Sequence, residues 1–145
     1  MSVDLHELYQ QVILDHNRSP RNVRVIEGGR RGERNNPICG DHVTVHLQVE
    51  GDVIRDASFQ ASACAIVKAS ASLMTESVKA RTVADARALA DRFRRMITAP
   101  PGAPLDDLGP LTALAGVRQF PIRVRCATLP WDALQAAADA PDDRG

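Results

Sequence analysis

Hydrophobic residues recur every three to four positions over four stretches of the chain and every second position over one. The helical spacing runs from Leu5 to about His16, from about Cys64 to Lys79, from about Thr82 to Ile97, and from about Pro121 to Ala138. The alternating spacing covers Val43, Val45, Leu47 and Val49, and a turn at Glu50-Gly51-Asp52 leads to a second strand from about Val53 to Gln60. The pattern therefore predicts one helix before an antiparallel hairpin and three helices after it.

The remaining segments lack a clear period. From Asn17 to Pro37 glycines, a proline and arginines replace the pattern, which indicates an irregular segment with one short strand. Thr98 to Pro104 carries three prolines and a glycine and is predicted to be a loop, followed by a short helical piece from Leu111 to Ala115. We therefore predict an α+β fold in which a small antiparallel three-stranded sheet is packed on one side by helices.

Length and charge narrow the class of protein. The 145 residues suit a single domain, with a core from about residue 4 to residue 138 and a frayed tail over 141–145. Eighteen basic and eighteen acidic residues leave no net charge, so we expect neither a nucleic acid nor a membrane partner. The sequence contains neither an apolar run of about 20 residues nor the basic and apolar blocks of a signal peptide. We therefore expect a cytoplasmic protein.

Three cysteines and one aspartate are the candidates for chemistry. An odd number of cysteines in a reducing compartment argues against a disulfide framework and leaves metal binding, thiol chemistry or plain packing. Cys39 and Asp41 lie two apart across Gly40, so both side chains can reach one ion, and the glycine permits a positive φ. Cys64 begins a helix, where exposed N–H groups favour a thiolate, and Cys126 lies on the last helix. Three thiolates and one carboxylate match the four ligands of tetrahedral zinc.

Further features of this group suggest how the ion would behave. Arg123 lies three residues before Cys126 on the same predicted helix face, where its charge would offset the negative ligand set and orient a thiolate. Because Asp41 supplies an oxygen to a set of sulfur ligands, we expect an ion that gives up a ligand easily. The alternative is that Cys64 and Cys126 are only small buried hydrophobic residues.

The histidines have weaker claims on the metal. His42 follows Cys39 by three residues and could replace Asp41, but the strand alternation turns it to the opposite side, so we favour an exposed histidine. His16, near a helix end, is predicted to be a cap or a partner contact, and His46 is predicted to be solvated.

A run of arginines precedes the predicted metal turn, which consists of Cys39, Gly40 and Asp41. Arg30, Arg31 and Arg34 are interpreted as solvated surface, with docking onto an acidic partner as the alternative.

Several motifs, in order along the chain, resemble one protein family. They are Leu8-Tyr9, Val12-Ile13-Leu14-Asp15-His16, Ser19-Pro20-Arg21-Asn22, Asn36-Pro37-Ile38-Cys39-Gly40-Asp41, Phe59 through Cys64-Ala65-Ile66, Ala69-Ser70-Ala71-Ser72-Leu73-Met74-Thr75, Gly116-Val117, and Arg123-Val124-Arg125-Cys126-Ala127-Thr128-Leu129 with Trp131. Together they resemble the SufU branch of the IscU/NifU-like iron-sulfur cluster assembly family, over about Leu5 to Leu134. The Arg-x-x-Cys-Ala form of the last motif and the segment inserted before it are similar to SufU proteins rather than to IscU scaffolds.

The resemblance implies a SufE/NifU-like fold and a specific role for each site residue. Cys39, Asp41, Cys64 and Cys126 would bind zinc, and Cys39 would accept persulfide sulfur from a SufS-type cysteine desulfurase. The protein would then be a sulfurtransferase-like carrier that stimulates its partner, and the pyridoxal phosphate would belong to that partner. A SUF scaffold complex or apo iron-sulfur proteins would be further partners.

The same resemblance leaves an alternative function open. A scaffold would assemble iron or a [2Fe-2S] cluster on the same four residues and transfer it. Against this, the chain lacks the histidine before the last cysteine and the Leu-Pro-Pro-Val-Lys motif of IscU scaffolds.

The sequence departs from the family around its second cysteine. Ala61, Ala63 and Val67 stand where the family has a Gly-x-Gly-Cys-x-Ile-Ser pattern. If the glycine before this cysteine has a positive φ, Ala63 is expected to strain the loop by about 1 kcal/mol.

Overall fold

The computed structural model describes residues 5–37, 40–104 and 107–140, so the predicted frayed tail lies outside it. Four α-helices, three strands and one 3-10 helix are found in these ranges. They are α1 (Leu5–Arg18), β1 (Arg30–Asn36), β2 (Asp41–Glu50), β3 (Val53–Ser62), α2 (Ala65–Val78), α3 (Val83–Thr98), the 3-10 helix (Gly109–Gln119) and α4 (Pro121–Asp139). The predicted helices and hairpin are confirmed, and the short strand of the irregular segment is β1.

The strands form one antiparallel sheet in the order β1-β2-β3. Asn36 pairs with Asp41 across the first turn, and Glu50 pairs with Val53 across the second. The strands are consecutive along the chain and β2 lies between the other two, so one turn lies at each end of β2. The predicted three-stranded sheet is thus confirmed.

The helices lie on one face of this sheet. α4 packs against β1 and β2, α2 packs against β3 and α4, and α1 covers α2 and the 3-10 helix. Gly32 of β1 allows α4 to come this close, because a Cβ atom at that position would lie 2.3 Å from the backbone of Ala133 and Ala137. Phe93 and Trp131 stack in the core at a ring distance of 4.6 Å.

Local signals set the helix boundaries. The Thr82 hydroxyl accepts a hydrogen bond of 3.0 Å from the Asp85 N–H, as the capping pattern predicts. The 3-10 helix is longer than the short helical piece predicted for Leu111 to Ala115. None of the described helices is long and apolar enough to cross a membrane.

Two histidines are more buried than predicted. His46 is only 5% exposed, its Nε2 lies 3.4 Å from Gln60 Oε1, and burial lowers its pKa. The prediction of a solvated His46 was wrong because His46 lies in the middle of the central strand, where Arg31 of β1 and Ser58 of β3 flank it. His16 is buried against α2, where its Nδ1 lies 2.7 Å from Ser72 Oγ, so it is neither a cap nor an exposed contact.

Candidate metal centre

The turn between β1 and β2 places Asp41 at the end of the sheet. Gly40 has a φ of +73° and donates its N–H to the Asn36 carbonyl at 2.8 Å, which closes the turn. Apart from its chain neighbours, no atom of the described residues lies within 4 Å of a Cβ built on Gly40, so the left-handed conformation favours glycine there, as predicted. Asp41 then begins β2 with its side chain only 3% exposed, on the strand face that carries Val43.

Cys64 lies at the N-cap of α2, opposite this turn. Its backbone is extended, with φ −70° and ψ 169°, and its side chain makes no capping hydrogen bond, which leaves the sulfur available. The Cys64 N–H donates to Asp41 Oδ1 at 2.9 Å, so the carboxylate holds the start of the helix against the turn.

The strain expected at Ala63 is not found. Among the residues that the structure describes, Asn22 and Ala80 are the non-glycine residues with a positive φ. Ala61 instead pairs with Val43 in the sheet, and Val67 is fully buried in the core. The three departures from the family pattern therefore fit this backbone, and the condition on which strain at Ala63 was expected, a positive φ, is not met.

Cys126 completes the group from α4. It is 1% exposed, and its sulfur lies 3.8 Å from Asp41 Oδ2. Pro130, four residues later, has no N–H to give to the Cys126 carbonyl, so the helix lacks one hydrogen bond at the cysteine.

A buried polar contact, which the sequence analysis missed, joins the two helices that carry these cysteines. The Ser70 hydroxyl of α2 donates to the Ala127 carbonyl of α4 at 2.6 Å, and Trp131 Nε1 donates to the same hydroxyl at 3.2 Å. The only signal in the sequence was a serine on the apolar face of a helix. The contact fixes the spacing between α2 and α4 beside the site.

Asp41, Cys64 and Cys126 form a group that suits a metal ion. One ligand atom from each lies within 4.8 Å of the others. Zinc binds thiolate sulfur at about 2.3 Å and carboxylate oxygen at about 2.1 Å, so a sulfur and an oxygen on one tetrahedral ion lie about 3.6 Å apart. The Cys126 sulfur lies 3.8 Å from Asp41 Oδ2, which is close to that spacing. Among the described residues, the Cys64 N–H and the Cys126 thiol hydrogen-bond to the buried Asp41 carboxylate, and neither group carries a positive charge. A bound metal cation would supply the positive charge that compensates a buried Asp41 carboxylate.

The other predicted site residues are placed differently. Cys39 lies outside the described residues, so its part in the site stays a prediction. His42 is exposed, in agreement with its position on the opposite strand face. Arg123 is also exposed and borders a cavity of about 600 Å³, which is lined by Tyr9, Gln10, Ile13, Leu14, Ala65, Ile66, Phe120 and Arg123.

Tyr9 is a second residue that sequence reasoning did not assign to the site. Burial raises the pKa of its phenol, the charge of Arg123 opposes the rise, and the charges of Cys64 and Cys126 add to it. Arg123 and Tyr9 line the same cavity beside the start of α2, whereas the contact of Arg123 with a thiolate stays a prediction.

This fold and this mixed sulfur and oxygen site agree with a known class of proteins. Residues 8–127 match the NifU-like N-terminal domain, and the chain belongs to that family. It is 39% identical to the zinc-dependent sulfurtransferase SufU of Bacillus subtilis over 134 residues, which cover 92% of this chain and 91% of the relative. It is 37% identical to the iron-sulfur cluster assembly scaffold protein IscU of Streptococcus pyogenes, with coverage of 92% and 84%.

Solved structures give the same assignment of the fold. A candidate iron-sulfur cluster assembly scaffold for the SUF system from Fervidobacterium islandicum matches with a TM-score of 0.83 and 31% identity, covering 92% of this chain and 98% of that one. The N-terminal part of a NifU-like protein from Brucella abortus matches with a TM-score of 0.79 and 25% identity, covering 92% and 93%.

Proposed function

We propose that this protein accepts sulfur from a SufS-type cysteine desulfurase in iron-sulfur cluster assembly, at a zinc site formed by Cys39, Asp41, Cys64 and Cys126. The observation that carries the proposal is the convergence of a carboxylate and two thiols within 4.8 Å. Similarity to a zinc-dependent sulfurtransferase supports zinc as the ion. The protein would act as one domain in the cytoplasm, where thiols stay reduced.

Zinc, when bound, keeps thiol ligands deprotonated and protects them from oxidation. Cys39 is the acceptor in this proposal. Its thiolate attacks the outer sulfur of the donor's persulfide, a new sulfur–sulfur bond forms on Cys39, and the bond within the donor breaks. The donor cysteine leaves as a thiolate, so one sulfur atom moves and no external oxidant or reductant is needed.

The other ligands keep the site assembled while Cys39 reacts. Asp41 stays tied to the Cys64 N–H at 2.9 Å, and Cys126 is held by the buried contacts between α2 and α4. Arg123 would then stabilise the charge of a released Cys39 thiolate at the mouth of the site. Turnover of the partner rises because its persulfide is cleared faster.

The test combines metal analysis with sulfur mapping. Freshly purified protein is expected to contain about one zinc per chain. After incubation with a purified SufS-type cysteine desulfurase and cysteine, thiol blocking and peptide mass spectrometry should find one extra sulfur on Cys39. Cys39→Ala should retain its fold and abolish the stimulation of turnover, whereas Asp52→Ala, at the other end of β2, should stimulate as the wild type does. Full stimulation by Cys39→Ala would overturn the acceptor role.

A scaffold function is the second candidate, supported by the similarity to IscU of Streptococcus pyogenes over most of the chain. It predicts that anaerobic reconstitution with iron and sulfide produces a [2Fe-2S] spectrum and that the cluster passes to an apo-protein. A colourless protein that retains zinc under these conditions would exclude the scaffold and leave the sulfur acceptor.

A further inference from the structure

The arginine run before the metal turn divides into three different environments. Arg30 donates to the Ala138 carbonyl at 2.9 Å, at the end of α4. Arg31 forms an ion pair with Glu33 on the same strand. Arg34 is exposed, and its guanidinium donates a hydrogen bond of 2.7 Å to the neighbouring carbonyl of Glu33. Of the three, Arg34 is therefore the one whose charge remains available to a partner.

Arg34 shares a groove with a second arginine from α4. The groove has a volume of about 260 Å³ and is lined by Arg34, Asn35, Asn36, Pro37, Arg125, Thr128, Leu129 and Asp132. Asp132 already pairs with Arg94 at 2.6 Å. Within the described ranges, neither Arg34 nor Arg125 has a carboxylate within ion-pair distance, so the groove presents two cations to solvent.

The groove adjoins the metal centre directly. Its wall includes Asn36, whose carbonyl closes the metal turn, and Arg125, which precedes Cys126. At the start of α4, Phe120 is 41% exposed and Ile122 is 82% exposed. A chain with no net charge thus carries exposed arginines and apolar side chains around one site.

We propose that Arg34 and Arg125 form a docking face for an acidic segment of the sulfur-donating protein, an inference that rests on the proposed function. Charge complementarity identifies the partner surface, because two unpaired guanidinium groups attract carboxylates and speed association. The position of the groove explains its use, since a segment bound there would bring the donor's persulfide beside the turn that carries Cys39.

Charge reversal tests the docking face. We would measure the Kd and the stimulated turnover of a purified SufS-type cysteine desulfurase with the wild type, with Arg34→Glu/Arg125→Glu, and with Arg55→Glu. Arg55 is an exposed arginine near the start of β3, beside the turn at Gly51, and pairs with Glu50, so its reversal is a charge-reversal control away from the docking face. The double variant should raise the Kd by about tenfold or more, and Arg55→Glu by less than about twofold.

Salt dependence and zinc content complete the test. Wild-type binding should weaken strongly between about 50 mM and about 500 mM salt, and the double variant should lose most of that dependence. Zinc content and turnover at saturating acceptor should stay at the wild-type level. A salt-independent wild-type Kd, or unchanged binding by the double variant, would overturn the proposal. So would loss of zinc from the double variant and from the milder Arg34→Gln/Arg125→Gln, because the arginines would then serve the metal site itself.

The result also separates this inference from the proposed function. If the wild type accepts no sulfur at any concentration, the proposed function fails. If it accepts sulfur and the double variant binds as tightly as Arg55→Glu, only the docking face fails.

Discussion

The two turns at the ends of β2 each contain a glycine with a positive φ, but their surroundings differ. Gly40 has a φ of +73° and Gly51 a φ of +62°, and at neither position would a Cβ atom come within 4 Å of the described residues other than its chain neighbours. Both turns therefore use glycine for its backbone conformation alone. Their difference must come from the elements that pack against them.

Backbone hydrogen bonds hold the Gly51 end. The segment after α2 runs beside this turn, where the Val83 N–H donates to the Asp52 carbonyl, the Ile54 N–H to the Arg81 carbonyl and the Ala80 N–H to the Ile54 carbonyl, each at 2.8 Å. The Gly40 end instead meets the start of α2 and the side chain of Cys126. Backbone contacts make one turn structural, whereas converging side chains make the other a candidate reaction centre.

The largest difference between the two ends of β2 is expected in zinc affinity when the aspartate at each end is replaced by alanine. Asp41→Ala deletes a proposed metal ligand and leaves the Cys64 N–H without its acceptor, so zinc affinity should fall by more than about 100-fold. Asp52→Ala, beside Gly51, should change zinc affinity by less than about twofold. Competition with a chromophoric chelator measures both. Equal affinities for the two variants would show that Asp41 does not bind the ion.

Replacing Gly40 or Gly51 by alanine should lower the stability of the protein at both turns, but zinc affinity at only one of them. Gly40→Ala and Gly51→Ala each force an L-residue into a left-handed conformation and should lower the free energy of unfolding of metal-free protein by about 1–2 kcal/mol. Urea denaturation measures this loss. Zinc affinity should fall only in Gly40→Ala, because only that turn aims a ligand; an equal fall in both variants would contradict the comparison.

At a third position with a positive φ, Ala80 near the Gly51 turn, a substitution by glycine should raise the free energy of unfolding. Ala80 follows α2 with a φ of +67°, a conformation that glycine normally supplies after a helix. Ala80→Gly should raise the free energy of unfolding by up to about 1 kcal/mol and leave zinc affinity unchanged. Lys79→Gly, one residue earlier with a φ of −59°, is the control and should destabilise. A loss of stability in Ala80→Gly would contradict the strain argument.

Acid should lower the free energy of unfolding through two buried histidines that lie outside both turns, His16 of α1 and His46 of β2. Burial lowers the pKa of His16, Arg21 lowers it further, and Asp15 and Glu76 oppose the shift; burial also lowers the pKa of His46. Protons therefore bind the unfolded chain more readily, so stability present above about pH 6.5 is lost as the pH falls.

Urea unfolding of metal-free protein from about pH 7.5 to about pH 5.5 should show this modest loss. His16→Gln removes one titrating group and should flatten the dependence, while the difference between the Gly40→Ala and Gly51→Ala variants in zinc affinity should persist. An unchanged slope in His16→Gln would show that His16 does not contribute.

Features set by nearby residues could be predicted from the sequence. The helical and alternating patterns identified the helices and the β2–β3 hairpin, and the Thr82 cap followed from residues three apart. The candidate site was recognised in part because Asp41 lies beside Gly40 and because Cys64 begins a helix. The strand β1 was predicted only loosely, since most of its residues are polar and it gains its place by pairing with β2.

Features that depend on packing between distant segments could not be predicted in this way. His46 was expected to be solvated because alternation along one strand carries no information about the strands beside it. The Ser70 contact to Ala127 joins residues 57 positions apart. The separate environments of Arg30, Arg31 and Arg34 depend on where α4 lies.

The sequence by itself determined which residues could bind a metal and which elements carry them, because ligand chemistry, periodicity and turn conformation are properties of short segments. Only the tertiary structure decided that Asp41, Cys64 and Cys126 meet, and that Arg34 and Arg125 share a groove beside them. The physical reason is that these distances depend on how α2 and α4 pack on the sheet, and no local preference sets that packing.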